Sequence, residues 1–90
     1  MGVTTVTALT TTITLLDSTA TARAFGAQLA DDVPVYIYVA TSLPSAGDDN
    51  YWILSNLLDP TFRRSLLSGE NVYARAANSR GSKLRWFIEG

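Results

Sequence analysis

Val72-Tyr73-Ala74-Arg75-Ala76-Ala77-Asn78-Ser79-Arg80-Gly81-Ser82-Lys83-Leu84-Arg85-Trp86-Phe87-Ile88-Glu89 alternates twice, once on each side of a polar turn. Val72, Ala74 and Ala76 share one face against Tyr73 and Arg75. After Asn78-Ser79-Arg80-Gly81-Ser82, Leu84, Trp86 and Ile88 share a face against Arg85, Phe87 and Glu89. Side chains of a strand point to opposite faces in turn, so this period of two marks two half-buried strands. A Gly-bearing loop between such runs predicts a C-terminal β-hairpin that closes the core.

Working outward, the preceding residues give more strands and few helix signals. Val35-Tyr36-Ile37-Tyr38-Val39 is the plainest, with Val35, Ile37 and Val39 inward and both tyrosines on the other face. Those tyrosines are either cross-strand packing partners or interface anchors. Arg23–Leu29 alternates Arg23, Phe25, Ala27 and Leu29 against Ala24, Gly26 and Gln28, and is expected as a strand, although its alanines would tolerate a helix. Val3–Leu16 is rich in threonine and β-branched residues, which suit a pleated surface. It is expected as one strand with Leu9, Thr11, Ile13 and Leu15 on a dry face, or as two short ones broken near Ala8. Its threonines serve strand propensity and solubility, or form a ladder for a glycan or a neighbouring subunit.

The remaining segments are less regular. Asp17–Ala22 is a polar connection, Asp31-Asp32-Val33-Pro34 a turn, and Tyr51–Leu58 an apolar run containing Trp52, Ile53 and Leu54. Asp59-Pro60 followed by Gly69 has the capping pattern of a short helix. The strand candidates on either side favour a turn and a strand over Phe62–Leu66 instead. About seven short, mostly antiparallel strands separated by turn signals place residues 1–90 in a single all-β domain, a β-sandwich or jelly-roll-like barrel.

Composition narrows the chemistry. The chain has 90 residues, 47% of them hydrophobic, no His, no Cys and a formal net charge of −1. Without His and Cys it lacks the usual transition-metal ligands and most nucleophile–base pairs. The carboxylates, Asp17, Asp31, Asp32, Asp48, Asp49, Asp59, Glu70 and Glu89, fall mostly in turns, where they cap and stay solvated. Asp48-Asp49-Asn50 in the long Ser42–Asn50 loop lacks the alternating oxygen ligands of a calcium loop and is expected to be a solvated turn. No enzyme activity, metal or cofactor is expected. A net negative chain argues against nucleic acid as a partner. No stretch approaches the ~18 apolar residues of a membrane span, and the start lacks the basic and apolar regions of a signal peptide.

What is left is a surface of rings and arginines. Tyr36, Tyr38, Tyr51, Trp52, Arg63, Arg64, Tyr73, Arg75, Arg85 and Phe87 are the candidate interface residues. Tyr, Trp and Arg are enriched where proteins meet. A small sandwich with no disulfide or metal gains stability from burial against a neighbour. The alternative is that the long loop and the Pro60 segment cover these rings.

The order of these features resembles a group of small bacteriophage virion proteins with short β-sandwich or jelly-roll folds. The likeness is carried by Val3-Thr4-Thr5-Val6-Thr7, by Val35–Val39 and by Leu67-Ser68-Gly69-Glu70-Asn71-Val72-Tyr73-Ala74-Arg75 with the Gly/Ser turn and closing strand Leu84–Glu89. The chain departs from the pattern at Leu57–Leu67. The resemblance implies a non-enzymatic virion structural protein, assembled in the host cytoplasm, that decorates the capsid as a cement protein or serves the head, neck or tail. Its partners would be copies of itself, the major capsid protein or other virion proteins. The competing expectation is a carbohydrate- or receptor-binding module that stacks sugars on Tyr36, Tyr38, Tyr51 and Trp52.

Overall fold

The computed structural model describes residues 5–18, 21–45 and 51–89. It contains β1 (Thr5–Leu9), β2 (Thr14–Asp17), β3 (Arg23–Leu29), β4 (Val35–Ala40), β5 (Trp52–Leu54), β6 (Thr61–Leu66), β7 (Asn71–Ala76) and β8 (Ser82–Glu89), and no helix among the described residues. The strands form two four-stranded sheets in the orders β1-β8-β3-β6 and β2-β7-β4-β5, with every pairing antiparallel. β1 pairs with β8, β2 with β7, β3 with β6 and β4 with β5. These nested pairings are those of a long antiparallel hairpin folded over on itself, which is a jelly roll.

The predicted C-terminal hairpin is corrected by this topology. β7 and β8 lie in different sheets. The Asn78–Gly81 turn, held by Gly81 N–H on the Asn78 carbonyl at 3.1 Å, carries the chain across the sandwich. β8 already has β1 on one edge and β3 on the other. The end of β7 turns instead to neighbouring corners, with Ala76 N–H donating to Thr10 O at 2.7 Å and Ala77 N–H to Pro34 O at 3.0 Å. Alternation reports which face of a strand is dry. It does not report the partner, because facing strands of a sandwich and paired strands of a hairpin alternate alike.

The single-strand alternative for Val3–Leu16 is likewise corrected. The chain breaks at Thr10–Ile13 and changes sheets, so Leu9 is buried and Leu15 is 49% exposed. Threonine hydroxyls make that corner. Thr10 Oγ1 accepts from Thr12 N–H at 3.2 Å, and Thr14 donates to Thr12 O at 3.1 Å. Such local bonds compete with a sheet ladder. Asp59-Pro60 does precede a strand. Asp59 Oδ1 accepts from the Thr61 amide at 3.0 Å and hydroxyl at 2.9 Å, an Asx-type turn that resembles a helix cap in sequence. Pro60 O then accepts from Leu29 N–H at 2.7 Å and seats β6 beside β3. Val3-Thr4, the Met1-Gly2 start and Asp48-Asp49-Asn50 lie outside the described residues.

Between the sheets lies a core of Leu9, Phe25, Leu29, Val35, Ile37, Leu54, Leu66, Val72 and Leu84 with small alanines on β7. Phe25 sits at its centre with no exposed surface, 6.0 Å from the Trp86 ring and 6.1 Å from Phe62. One end is closed by a charge. Arg23, on the inward face of β3, donates from Nε to Asp17 Oδ2 at 2.6 Å, from Nη1 to Thr21 O at 2.9 Å and from Nη2 to Glu70 O at 2.6 Å. No buried side-chain polar atom among the described residues lacks a partner, as a dry core requires.

Candidate interaction faces

The fold sorts the predicted interface residues into three places. The first is the outward face of the β2-β7-β4-β5 sheet. Register puts Arg75 opposite Tyr36, and Tyr73 opposite Tyr38. Tyr51, just before β5, folds over this pair of strands. It stacks on Tyr36 with 4.3 Å between ring centroids and meets Tyr38 edge-on at 5.4 Å. The Arg75 guanidinium lies 4.5 Å from the Tyr36 centroid and 5.7 Å from that of Tyr51. Its Nε donates to the Tyr38 hydroxyl at 2.9 Å. A cation over several rings is held in place by their negative faces. Asn71 donates to the Tyr73 hydroxyl at 3.2 Å.

Within this cluster the rings divide by depth. Tyr38 and Tyr73 are buried in the single chain, so their packing supports the sheet. Tyr36, Tyr51 and Arg75 are half-buried and form the outer surface. Leu15 stands across from Tyr73 on one flank, 49% exposed, and Ile53 across from Tyr36 on the other, 43% exposed.

The second place is the open side of the sandwich, between the edge strands β5 and β6. Trp52 packs against Phe62 at 5.3 Å, and the Arg64 guanidinium lies 5.0 Å from its ring centroid. Trp52 therefore belongs to a different surface from the tyrosines, because alternation along β5 turns it inward where Tyr51 and Ile53 turn out. The nearby Ser55–Asp59 turn leaves Leu57 and Leu58 largely exposed.

The third is the outward face of the β1-β8-β3-β6 sheet, where Arg63, Arg85 and Phe87 line one groove with Gln28 and Thr61. Arg63 lies 6.0 Å from the Phe87 centroid. Two arginines outside the candidate set pair with carboxylates: Arg23 is buried with Asp17, and Arg80 meets Asp32 with both side chains exposed. Alternation at Arg23–Leu29 did place Arg23 on the inward face. Nothing in the local pattern identified Asp17 and the Glu70 carbonyl as its partners.

Among the described residues, no three His, Cys, Asp or Glu side chains gather where a metal ion could be held. Comparison with family models, with curated proteins and with solved structures finds no match.

Proposed function

We propose that this chain is a non-enzymatic structural subunit of a bacteriophage particle, working by protein–protein contact on the capsid or the head, neck or tail. The observation that carries the contact reading is the tyrosine–arginine face. Tyr36, Tyr51 and Arg75 form a pre-ordered centre, and exposed Leu15 and Ile53 extend it with apolar surface on both flanks. Rings already stacked on one another lose little side-chain freedom on docking, which favours them as interface anchors. The jelly roll is compatible with a virion role, since capsid domains use it, but lectins and cupins use it as well. The virion part of the proposal rests on the sequence resemblance.

The sugar-stacking platform expected of Tyr36, Tyr38, Tyr51 and Trp52 is not favoured. Tyr38 is buried, Tyr36 and Tyr51 cover each other, and Trp52 faces another side of the molecule. Co-sedimentation of the purified chain with phage heads and with isolated tails tests the role. Saturable uptake by either particle is expected, and no uptake by both would overturn it.

A further inference from the structure

The outward face of the β1-β8-β3-β6 sheet holds a groove that the assembly role leaves unused, and a glycine shapes its floor. In β3, Gly26 has Arg63 of β6 on one side and Phe87 of β8 on the other. A Cβ at position 26 would lie 2.3 Å from the tip of the Phe87 ring. The missing side chain is therefore what lets that ring lie across the backbone of β3. Two residues along, Gln28 has Thr61 on one side and Arg85 on the other. These rows line a cavity of about 500 Å³, within the ~300–1,000 Å³ usual for small-molecule sites. Arg63 and Arg85 stand diagonally across β3. Two strand spacings and one two-residue step separate their Cα atoms by roughly 12 Å. Two arginine side chains can close that distance on a ligand the size of a mono- or disaccharide.

Charge selects the class of ligand. Among the described residues that line the groove there is no carboxylate, and Arg63, Lys83 and Arg85 stand on the outward side of this sheet. Lys83 stands at the end of the sheet near Asp31. The Asp31 carboxyl is held below its usual range first by hydrogen bonds from Asp32 and further by Arg80 and Lys83. The cations that line the groove are the two arginines.

We propose that this groove binds a carboxylated pyranose, the acidic sugar unit of a uronate or sialic acid glycan. The planar guanidinium of Arg85 or Arg63 grips the carboxylate through paired N–H groups. Phe87 offers an apolar surface to the C–H face of the ring. Gln28 and Thr61 exchange hydrogen bonds with its hydroxyls. Arg63 already lies near the Phe87 ring face, so the aromatic surface that is left suits a pyranose better than a stacked nucleobase. The site is on the opposite sheet from the tyrosine–arginine face and stands or falls independently of it.

The test is a ¹⁵N NMR titration of the whole chain with tri-galacturonate, 3′-sialyllactose, lactose and adenosine monophosphate. Saturable shifts are expected with at least one acidic sugar, centred on the amides of Gly26, Gln28, Thr61 and Phe87, and the better of the two identifies its source. Lactose should give none. Arg63→Ala and Arg85→Ala should each weaken binding about tenfold or more with unchanged circular dichroism. Arg75→Ala, on the other sheet, should bind as the wild type does. Arg63→Lys and Arg85→Lys keep the charge and lose the paired geometry, and give the same test where an alanine variant folds poorly. Four outcomes overturn the proposal: no saturable shift with either acidic sugar, equal binding of lactose, tighter binding of the nucleotide, or shifts centred on Tyr36 and Tyr51.

Discussion

Arg23→Ala is expected to cost this domain a large part of its stability. The Arg23 side chain is 1% exposed and that of its partner Asp17 is 13% exposed, with Nη2 to Oδ2 at 2.5 Å. The same guanidinium satisfies the carbonyls of Thr21 and Glu70. Alanine leaves a nearly buried carboxylate without its cation, a loss of about 3–5 kcal/mol for pairs of this kind. Thr21 is exposed, so water takes over its carbonyl and the expected loss lies near the lower end, about 3 kcal/mol. For a domain of 90 residues the whole stability is of order 5–13 kcal/mol. Each kcal/mol moves the melting midpoint by roughly 4–8 °C, so the midpoint should fall by roughly 12–24 °C. Urea denaturation followed by tryptophan fluorescence, with thermal circular dichroism beside it, measures both quantities. Arg80→Ala is the control, because its pair with Asp32 is exposed on both sides and such pairs contribute ~0–1 kcal/mol. The double variant Asp17→Leu/Arg23→Leu should recover much of the loss by removing both charges together. A loss below ~1 kcal/mol for Arg23→Ala would refute the claim that this pair closes the end of the sandwich.

Trp86→Ala should cost about 3 kcal/mol, the lower end of the range for large aromatics, because the ring is half-buried against Phe25 and its Nε1 donates to Thr7 Oγ1 at 3.0 Å. Urea denaturation checks it, and a loss near zero would place the ring outside the core. Gly81→Ala should destabilise more than Gly69→Ala. Both have positive φ, which costs roughly 1–2 kcal/mol with a side chain, but only at Gly81 would the Cβ also meet a backbone atom, Leu9 O at 2.8 Å. Equal melting midpoints for the two variants would contradict this. The Asp59 carboxyl should titrate below its ordinary value of 3.8, held down first by the Thr61 amide and then by the Thr61 hydroxyl. A lowered folded-state pKa means that this turn adds stability above the ordinary value and loses it as pH falls through the folded one. In an NMR titration, Thr61→Val should move Asp59 part of the way back toward 3.8, and an unchanged value would assign the shift elsewhere.

β3, β4, β7 and β8 were legible because each has one dry face, as at Phe25/Ala27/Leu29, Val35/Ile37 and Leu84/Trp86, whereas the largely exposed β5 read only as part of an apolar run. Pairing was less so. β7 and β8 read as hairpin partners and prove to lie in opposite sheets, with Ala74 and Leu84 both in the core between them, since burial alone sets the alternation and both geometries bury the same faces. The β1–β2 corner was hidden in a uniform run of threonines, whose hydroxyls decide between ladder and turn only once the backbone is placed. Asp59-Pro60 carried a helix cap's chemistry because an Asx turn uses the same side-chain bond to the same amide. For the site, residue type pointed to the Tyr, Trp and Arg set, and alternation put Tyr36 and Tyr38 on one face. Topology alone separated Arg63, Arg85 and Phe87 onto the opposite sheet, whereas alternation along β5 already divided Trp52 from the adjacent Tyr51. The role of Gly26 was not visible at all, because it depends on Phe87 arriving from a strand far along the chain.

We propose that the tyrosine–arginine face is a protein–protein contact surface and that copies of this chain are among the partners it joins. Sedimentation velocity of the wild type and of Arg75→Glu, over a wide range of concentration, tests it most directly. Arg75→Glu reverses the charge at the centre of the face and replaces a cation over Tyr36 with an anion that the ring repels. The wild type should associate reversibly as concentration rises, and Arg75→Glu, still folded by circular dichroism, should remain a monomer. A wild-type chain that stays monomeric throughout, or a folded Arg75→Glu that associates equally well, would contradict the account.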